Sequence, residues 1–297
     1  MSISIIIPTY NRLFRLLEAV DSCLNQTLKP HEIIIGDDST NDETLQGLRT
    51  YIEQHSIIKY HQNRPSLGQF RNVNKLIQLA TGDKILLLHD DDLILPDCLE
   101  TLNSCFDQNP EISAAYGLQY IMDDSGNTLE DYSAHHNEVM LRIPEYEGIG
   151  LTSLEAGLTQ QFPNNAYLVL ANKAKEIKYR NVGAACDYDF GLRLGKENLD
   201  FYFVNKYTSK YRLSADAITL SVNNDAAMVA FREAINTKVP EKSQKLKDYW
   251  LKRNSQVAFR SSWDNRNYIF AFKIFFSKYY NRRSLIKRVL NGKFAKN

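Results

Sequence analysis

The sequence predicts an α/β domain built on a doubly wound, mostly parallel sheet flanked by helices, with a helical C-terminal extension. Three observations lead there. Short apolar runs alternate with amphipathic segments of helical period through about residue 110, the pattern of successive βαβ units. Three of those runs end in polar clusters: Thr9–Arg12, Asp37–Ser39 and His89–Asp92. Beyond about residue 216 the chain becomes polar and helical in pattern.

Element by element, Ile3–Ile7 reads as a first strand, stopped by Pro8. Leu13, Leu16, Leu17, Val20 and Leu24 mark one face of a helix. Glu32–Gly36 is a second strand, and Asn41 or Asp42 stands where a cap belongs for a helix carrying Thr44, Leu45, Leu48 and Ile52. Ile57–His61 is a third strand. Gly68 precedes a helix with Phe70, Val73, Leu76, Ile77 and Ala80 on its apolar face. A turn at Thr81-Gly82-Asp83 leads into a fourth strand, Lys84–Leu88, and Pro96 opens a helix that runs to about Asn109. Right-handed crossovers then bring the three polar clusters to one rim, where open α/β sheets bind ligands. After Ile112–Met122 the pattern changes. Asp123–Asn127 reads as a hairpin-type turn, residues 130–160 as long loops over the rim, Ala166–Leu170 as a strand, Asp187–Leu194 as a helix and Leu199–Val204 as a strand. We expect one domain over 1–215, in halves 1–110 and 111–215, and a helical extension over 216–297.

The 297 residues can bury one large core plus an appendage. Net charge is +1, so no overall field favours a polyanion and no nucleic-acid partner is expected. The four cysteines, Cys23, Cys98, Cys105 and Cys186, show no CxxC or Cys/His metal spacing; reduced thiols and a cytoplasmic location are expected. Ser2–Pro8 is too short for a secretory leader, and no apolar run approaches the ~20 residues that span a bilayer.

His89-Asp90-Asp91-Asp92 carries the chemistry. Three carboxylates at a strand's end repel one another unless something cancels their charge. A hard divalent cation, Mn²⁺ or Mg²⁺, does so with oxygen ligands and often uses only one or two carboxylates plus substrate phosphates.

Several segments in order resemble family 2 glycosyltransferases, which have the GT-A fold. They are Ile5-Ile-Ile-Pro8-Thr9-Tyr10-Asn11-Arg12, Ser22–Thr27, Ile35–Asp42, Leu67–Asn72, Ala80–Asp83 and His89–Asp92 with Pro96. The likeness covers residues 3–110 and continues more weakly to Cys186-Asp187-Tyr188-Asp189. It implies an inverting enzyme that uses a nucleotide-diphosphate sugar, with a UDP-sugar favoured, and a glycan or lipid-linked acceptor in bacterial-type cell-surface polysaccharide synthesis. Residues 1–110 are then the nucleotide-binding half and 111–215 the acceptor half.

Residue by residue, the resemblance implies that Asp38 accepts from the uracil imide and that Pro8, Thr9 and Tyr10 line the base. Arg71, and less directly Arg12, would contact the nucleotide. Asp91 falls on the metal position and Asp90 on a ribose position, with Asp92 orienting them. His89 stands where the common Asp-x-Asp-Asp pattern has its first acid, and would touch ribose or a metal. Asp187 matches the catalytic base, with Asp189 in reserve. Relatives often carry a His after a second-half Tyr-Arg; here Leu213 follows Tyr211-Arg212, so no ligand is assigned. Phe162–Asn165 is expected to face the acceptor. Structural alternatives stand beside these roles: a helix cap for Asp38 or Asp187, and a surface salt bridge for Arg71.

Residues 265–297 mix aromatics with Arg266, Lys273, Lys278, Arg282, Arg283, Lys287, Arg288, Lys293 and Lys296. That composition suits peripheral contact with an anionic membrane, and equally a helix packed on the catalytic domain. The competing functional classes are a non-catalytic nucleotide-sugar or glycan-binding module and a metal-dependent phosphoryl or nucleotidyl transferase. The last is disfavoured because Pro8–Asn11 occupies the place of a glycine-rich phosphate loop.

Overall fold

A computed structural model describes residues 2–197, 199–213 and 225–282. By contact the chain divides into two compact units. One comprises 1–181 and 186–215, the other 182–185 and 216–297.

The first unit is built on an eight-stranded mixed sheet. Its strands are β1 (Ile3–Thr9), β2 (Glu32–Asp37), β3 (Ile58–Gln62), β4 (Lys84–Leu87), β5 (Leu93–Ile94), β6 (Ile112–Met122), β7 (Leu168–Leu170) and β8 (Asp200–Arg212), in the spatial order β3-β2-β1-β4-β7-β6-β8-β5. β1, β2, β3 and β4 are mutually parallel, and the short β5 pairs antiparallel with β8 at the edge. β7 then pairs antiparallel with both β4 and β6, while β6 and β8 run parallel. The doubly wound expectation is therefore met, with an antiparallel strand inserted at the centre.

The helices between the early strands are α1 (Leu13–Leu24), α2 (Glu43–Gln54), α3 (Gln69–Leu79) and α4 (Cys98–Gln108). Each forms where apolar residues recur at helical spacing, and each buries that face: Leu16, Ala19, Val20 and Cys23 on α1, and Val73, Leu76 and Ile77 on α3. The strands, covered on both sides, are apolar without alternation, so Ile5, Ile7, Ile33, Ile35 and Leu86 lie in one core. Gly36 is required in β2, because a Cβ there would lie 2.3 Å from Asn72 Oδ1, and Asn72 donates to the Gly36 carbonyl at 2.7 Å. All four cysteines are free and buried.

Residues 130–160 depart from the expected loops. They contain α5 (Glu130–Val139), a short 3₁₀ turn and α6 (Ser153–Thr159). α5 is held by polar residues that no apolar period would flag: Ser133 and Asn137 bond the β6 backbone at Ile121 and Gln119. α6 is started by a capping box, Thr152 with Glu155. It crosses α8 (Cys186–Gly195) where Gly157 meets the Gly191 backbone. A seventh helix, α7 (Ala171–Ile177), follows β7 directly. β8 is also longer than the expected 199–204, because its half-buried Tyr and Lys residues mask the alternation.

The second unit contains α9 (Ala226–Asn236), α10 (Gln244–Asp264) and α11 (Tyr268–Phe276). Phe231 packs edge-on or tilted against Trp250, Phe270 and Tyr279. The stretch 214–224, where the extension was expected to begin, lies outside the described residues, as does 283–297 of the basic tail. Among the described residues, no helix is long and apolar enough to cross a membrane.

Candidate active site

Parallel pairing in register sets the rim. Thr9 pairs with Asp37, and Ile6 with Leu87, so β1, β2 and β4 end side by side. The Asp38 N–H donates to the Thr9 carbonyl at 3.0 Å. The Thr9 hydroxyl donates to Asp90 at 2.7 Å, and the Arg12 guanidinium reaches Asp91 at 2.9 Å and Asp90 at 3.4 Å. Clusters separated by about eighty residues thus form one constellation. Pro8 is half-buried and Tyr10 is 52% exposed.

Asp38 is buried and accepts from Asn63 Nδ2 at 2.7 Å, Gly68 N at 2.8 Å and Leu67 N at 3.1 Å. Its carboxylate braces the loop between β3 and α3 instead of capping α2, the structural alternative considered for it. Arg71 sits on the exposed first turn of α3 with its guanidinium 5.3 Å from the Phe70 ring centre. No carboxylate pairs with it among the described residues.

The acidic loop is held from two sides. Asp92 is buried; one oxygen accepts from Arg212 N at 2.7 Å and the other from Asn165 Nδ2. Arg212, itself buried, also donates to the Asp91 carbonyl at 2.8 Å. Asn165 Nδ2 lies 3.1 Å from His89 Nδ1, and His89 Nε2 lies 3.9 Å from Asp187 Oδ1. Burial raises the Asp90 and Asp92 carboxyls, and Asp91 raises both further. Burial would lower the His89 imidazole, but Asp187, Asp92, Asp91 and Asp90 outweigh it and the net direction is up.

One ligand atom from each of His89, Asp91 and Asp92 lies within 4.8 Å of the others. The carboxylate oxygens of Asp91 and Asp92 at that spacing suit a hard divalent cation, so these residues fit the metal that the resemblance implies.

Asp187 lies in the first turn of α8, so it does not act as the helix cap. Its Oδ1 is buried and no hydrogen bond reaches it. Burial raises its carboxyl, with the His89 charge and a side-chain hydrogen bond from Tyr179 offsetting part of the effect. Asp189, two residues on, differs: it accepts from Arg180 through both oxygens and from Arg193 at 2.8 Å. Burial would raise its carboxyl, but the two arginines outweigh that and the net direction is down. Asp189 is thus engaged in an ion pair with two arginines, unlike Asp187. Phe162 is likewise core, packed on Tyr116, Tyr167 and Phe201. Asn165 and Arg212 lie in segments that the sequence marked, Phe162–Asn165 and Tyr211-Arg212, but their hold on Asp92 is visible only through their contacts.

Residues 4–155 match the family model described as glycosyl transferase family 2. An uncharacterised glycosyltransferase of Methanocaldococcus jannaschii is 26% identical over 214 residues, 71% of this chain and 70% of that protein. Chondroitin synthase of Escherichia coli is 29% identical over 205 residues, 69% of this chain and 28% of that protein. Among solved structures, S. aureus TarS 1–349 in complex with UDP-GlcNAc is similar with a TM-score of 0.64 at 16% identity, covering 100% of this chain and 93% of that one. The mannosyltransferase PcManGT from Pyrobaculum calidifontis, in complex with GDP-Man and Mn²⁺, reaches 0.65 at 14% identity, covering 88% of this chain and 73% of that one. With the family model spanning more than half of its length, and with a sheet that matches solved glycosyltransferase structures, this chain belongs to glycosyl transferase family 2 and has the GT-A fold.

Proposed function

We propose that the protein transfers a sugar, with inversion, from a UDP-sugar to a hydroxyl of a glycan or lipid-linked acceptor in cell-surface polysaccharide synthesis. The observation that carries this reading is Asp187. Its Oδ1 is buried without a hydrogen-bond donor, on the same site as the acidic loop. Buried polar atoms are rarely left unpaired, and an exception calls for a use. Here the use is to take the proton of the acceptor hydroxyl. Attack by that hydroxyl on the sugar face opposite the departing diphosphate gives inversion.

The nucleotide side follows from the rim. Tyr10 offers an exposed ring for stacking on a base, beside Asp38 as the imide acceptor and Thr9 and Pro8 as the floor. Arg71 and Arg12 supply forked donors to the nucleotide. Asp90 reaches the ribose, and Asp91 with Asp92 would hold Mn²⁺ or Mg²⁺. When bound, the cation offsets the negative charge of the leaving diphosphate.

The reading includes peripheral membrane contact through residues 265–297. In support, α11 exposes Ile269 (75%) and Phe276 (67%) with Tyr268 and Phe272, beside Arg266 and Lys273. Flotation with anionic vesicles tests this: Ile269→Glu/Phe272→Glu should lose recovery, and equal recovery removes the contact. A screen of UDP, GDP and dTDP release across common nucleotide sugars tests the main reading. Sugar-dependent release of UDP supports it. Release of GDP instead, the nucleotide of the donor bound to PcManGT, overturns the donor assignment.

A further inference from the structure

Behind the acidic loop lies a buried chain of polar side chains that no hydroxyl or water is needed to complete. Arg142, between α5 and α6, is buried, and no carboxylate pairs with it among the described residues. Burial pushes its pKa down to about 10, so it stays charged at neutral pH. Its Nε donates to the Gln161 carbonyl at 2.8 Å and its NH2 approaches the Gln160 carbonyl at 3.5 Å. Its NH1 donates to Gln119 Oε1 at 2.8 Å. Gln119 Nε2 then donates to Asn165 Oδ1 at 3.2 Å, and Asn165 Nδ2 reaches Asp92 Oδ2 and His89 Nδ1. The backbone places Asn165 there, because Ala166 N donates to the Leu87 carbonyl at the end of β4.

We propose that Arg142, Gln119 and Asn165 form a one-way hydrogen-bond relay that sets the tautomer of His89, so that its Nε2–H faces Asp187. Donor and acceptor chemistry alone fixes how each amide is turned. A guanidinium has only donors, so the Gln119 atom facing it is the carbonyl oxygen. The NH₂ of Gln119 must then point to Asn165, which must turn its own oxygen to receive it. The NH₂ of Asn165 is left for His89 Nδ1 and for Asp92, a carboxylate that accepts. An imidazole nitrogen that accepts carries no proton, so in the neutral ring the proton is on Nε2, the atom 3.9 Å from the unpaired Asp187 Oδ1. That gap is longer than a hydrogen bond; it orients an N–H dipole at the carboxylate without spending the lone pairs that receive a proton. The same tautomer leaves the imidazole no lone pair for a cation, which falls to Asp91 and Asp92. The three relay residues are positioning residues, and their effect on transfer rests on the reading of Asp187 as the base.

The test separates the two. Imidazole ¹⁵N spectra of the full chain, with His89 assigned by His89→Gln, report the tautomer at a pH where the ring is neutral. We expect Nε2–H in the unaltered protein and in Arg142→Lys, which is still a pure donor. Gln119→Glu gives Arg142 a carboxylate but offers Asn165 no N–H. In it, we expect mixed or reversed tautomers, unchanged or higher thermal stability, an unchanged donor KM and a kcat lower by about tenfold, the low end for residues that orient a site. A proton on Nδ1 in the neutral ring of the unaltered protein overturns the relay, as does an unmoved tautomer in Gln119→Glu. A moved tautomer with full kcat upholds the relay and overturns the assignment of Asp187.

Discussion

Asp187→Asn separates chemistry from binding and stability in one side chain. The substitution keeps the shape and removes the charge. If Asp187 takes the acceptor's proton, its loss should slow transfer by ~10²–10⁴-fold, which raises the barrier by about 2.7–5.5 kcal/mol. Nucleotide binding should be unchanged, because no nucleotide contact is assigned to this residue. Stability should not fall. The folded protein holds this carboxyl above its ordinary value of 3.8, first through burial. A raised pKa favours the protonated form in the folded state, so its contribution is fully present below the ordinary value and is lost as pH rises through the folded one. The ionised carboxylate is therefore a cost to the folded state, and the Asn variant should gain thermal stability relative to the parent as pH rises above the ordinary value of 3.8. The assays are single-turnover UDP release, calorimetric titration with UDP and Mn²⁺, and thermal melts at several pH values. A residual rate within about tenfold of the parent places the base elsewhere. Loss of UDP binding with an intact fold would mean that the residue serves the donor side.

Asp91→Ala should abolish the enhancement of UDP binding by Mn²⁺ in calorimetry, whereas His89→Gln should retain it, because the relay leaves His89 no free lone pair. Asp189→Asn should behave opposite to Asp187→Asn. It removes the carboxylate that Arg180 and Arg193 share and should cost about 1.5–3 kcal/mol in denaturant unfolding, with the rate per folded molecule little changed. Glu32 is buried on β2, and hydrogen bonds from Lys59, Ser4 and Thr81 outweigh its burial to hold it at about 2 against an ordinary 4.5. A depressed pKa stabilises above the unfolded value and is lost as pH falls through the folded one. The stability deficit of Glu32→Gln should therefore be constant from neutral pH to about 5 and shrink below 4.5; a deficit that does not shrink refutes the assignment.

The first half of the chain was legible because its signals are local. Ile3–Thr9, Glu32–Asp37 and Lys84–Leu87 are apolar runs, and α1 and α3 bury the faces that their periodicity marks. Parallel topology then forces Thr9, Asp38 and the His89–Asp92 loop together, so the constellation followed from element order. The α5–α6 region was not legible: α5 docks through Ser133 and Asn137 on strand backbone, and periodicity counts apolar residues only.

What the sequence alone determined, then, was the fold class and the set of acids gathered at the rim, since both depend on short-range pattern and chain order. Tertiary structure decided the surroundings of each acid. Asp187 and Asp189 are near neighbours in one helix turn, yet one keeps an unpaired oxygen and the other is neutralised by two arginines. The relay joins residues 23, 46 and 73 positions apart, and its direction comes from an arginine that can only donate. Hydrogen-bond direction and burial belong to neighbours in space, and no spacing along the chain encodes them.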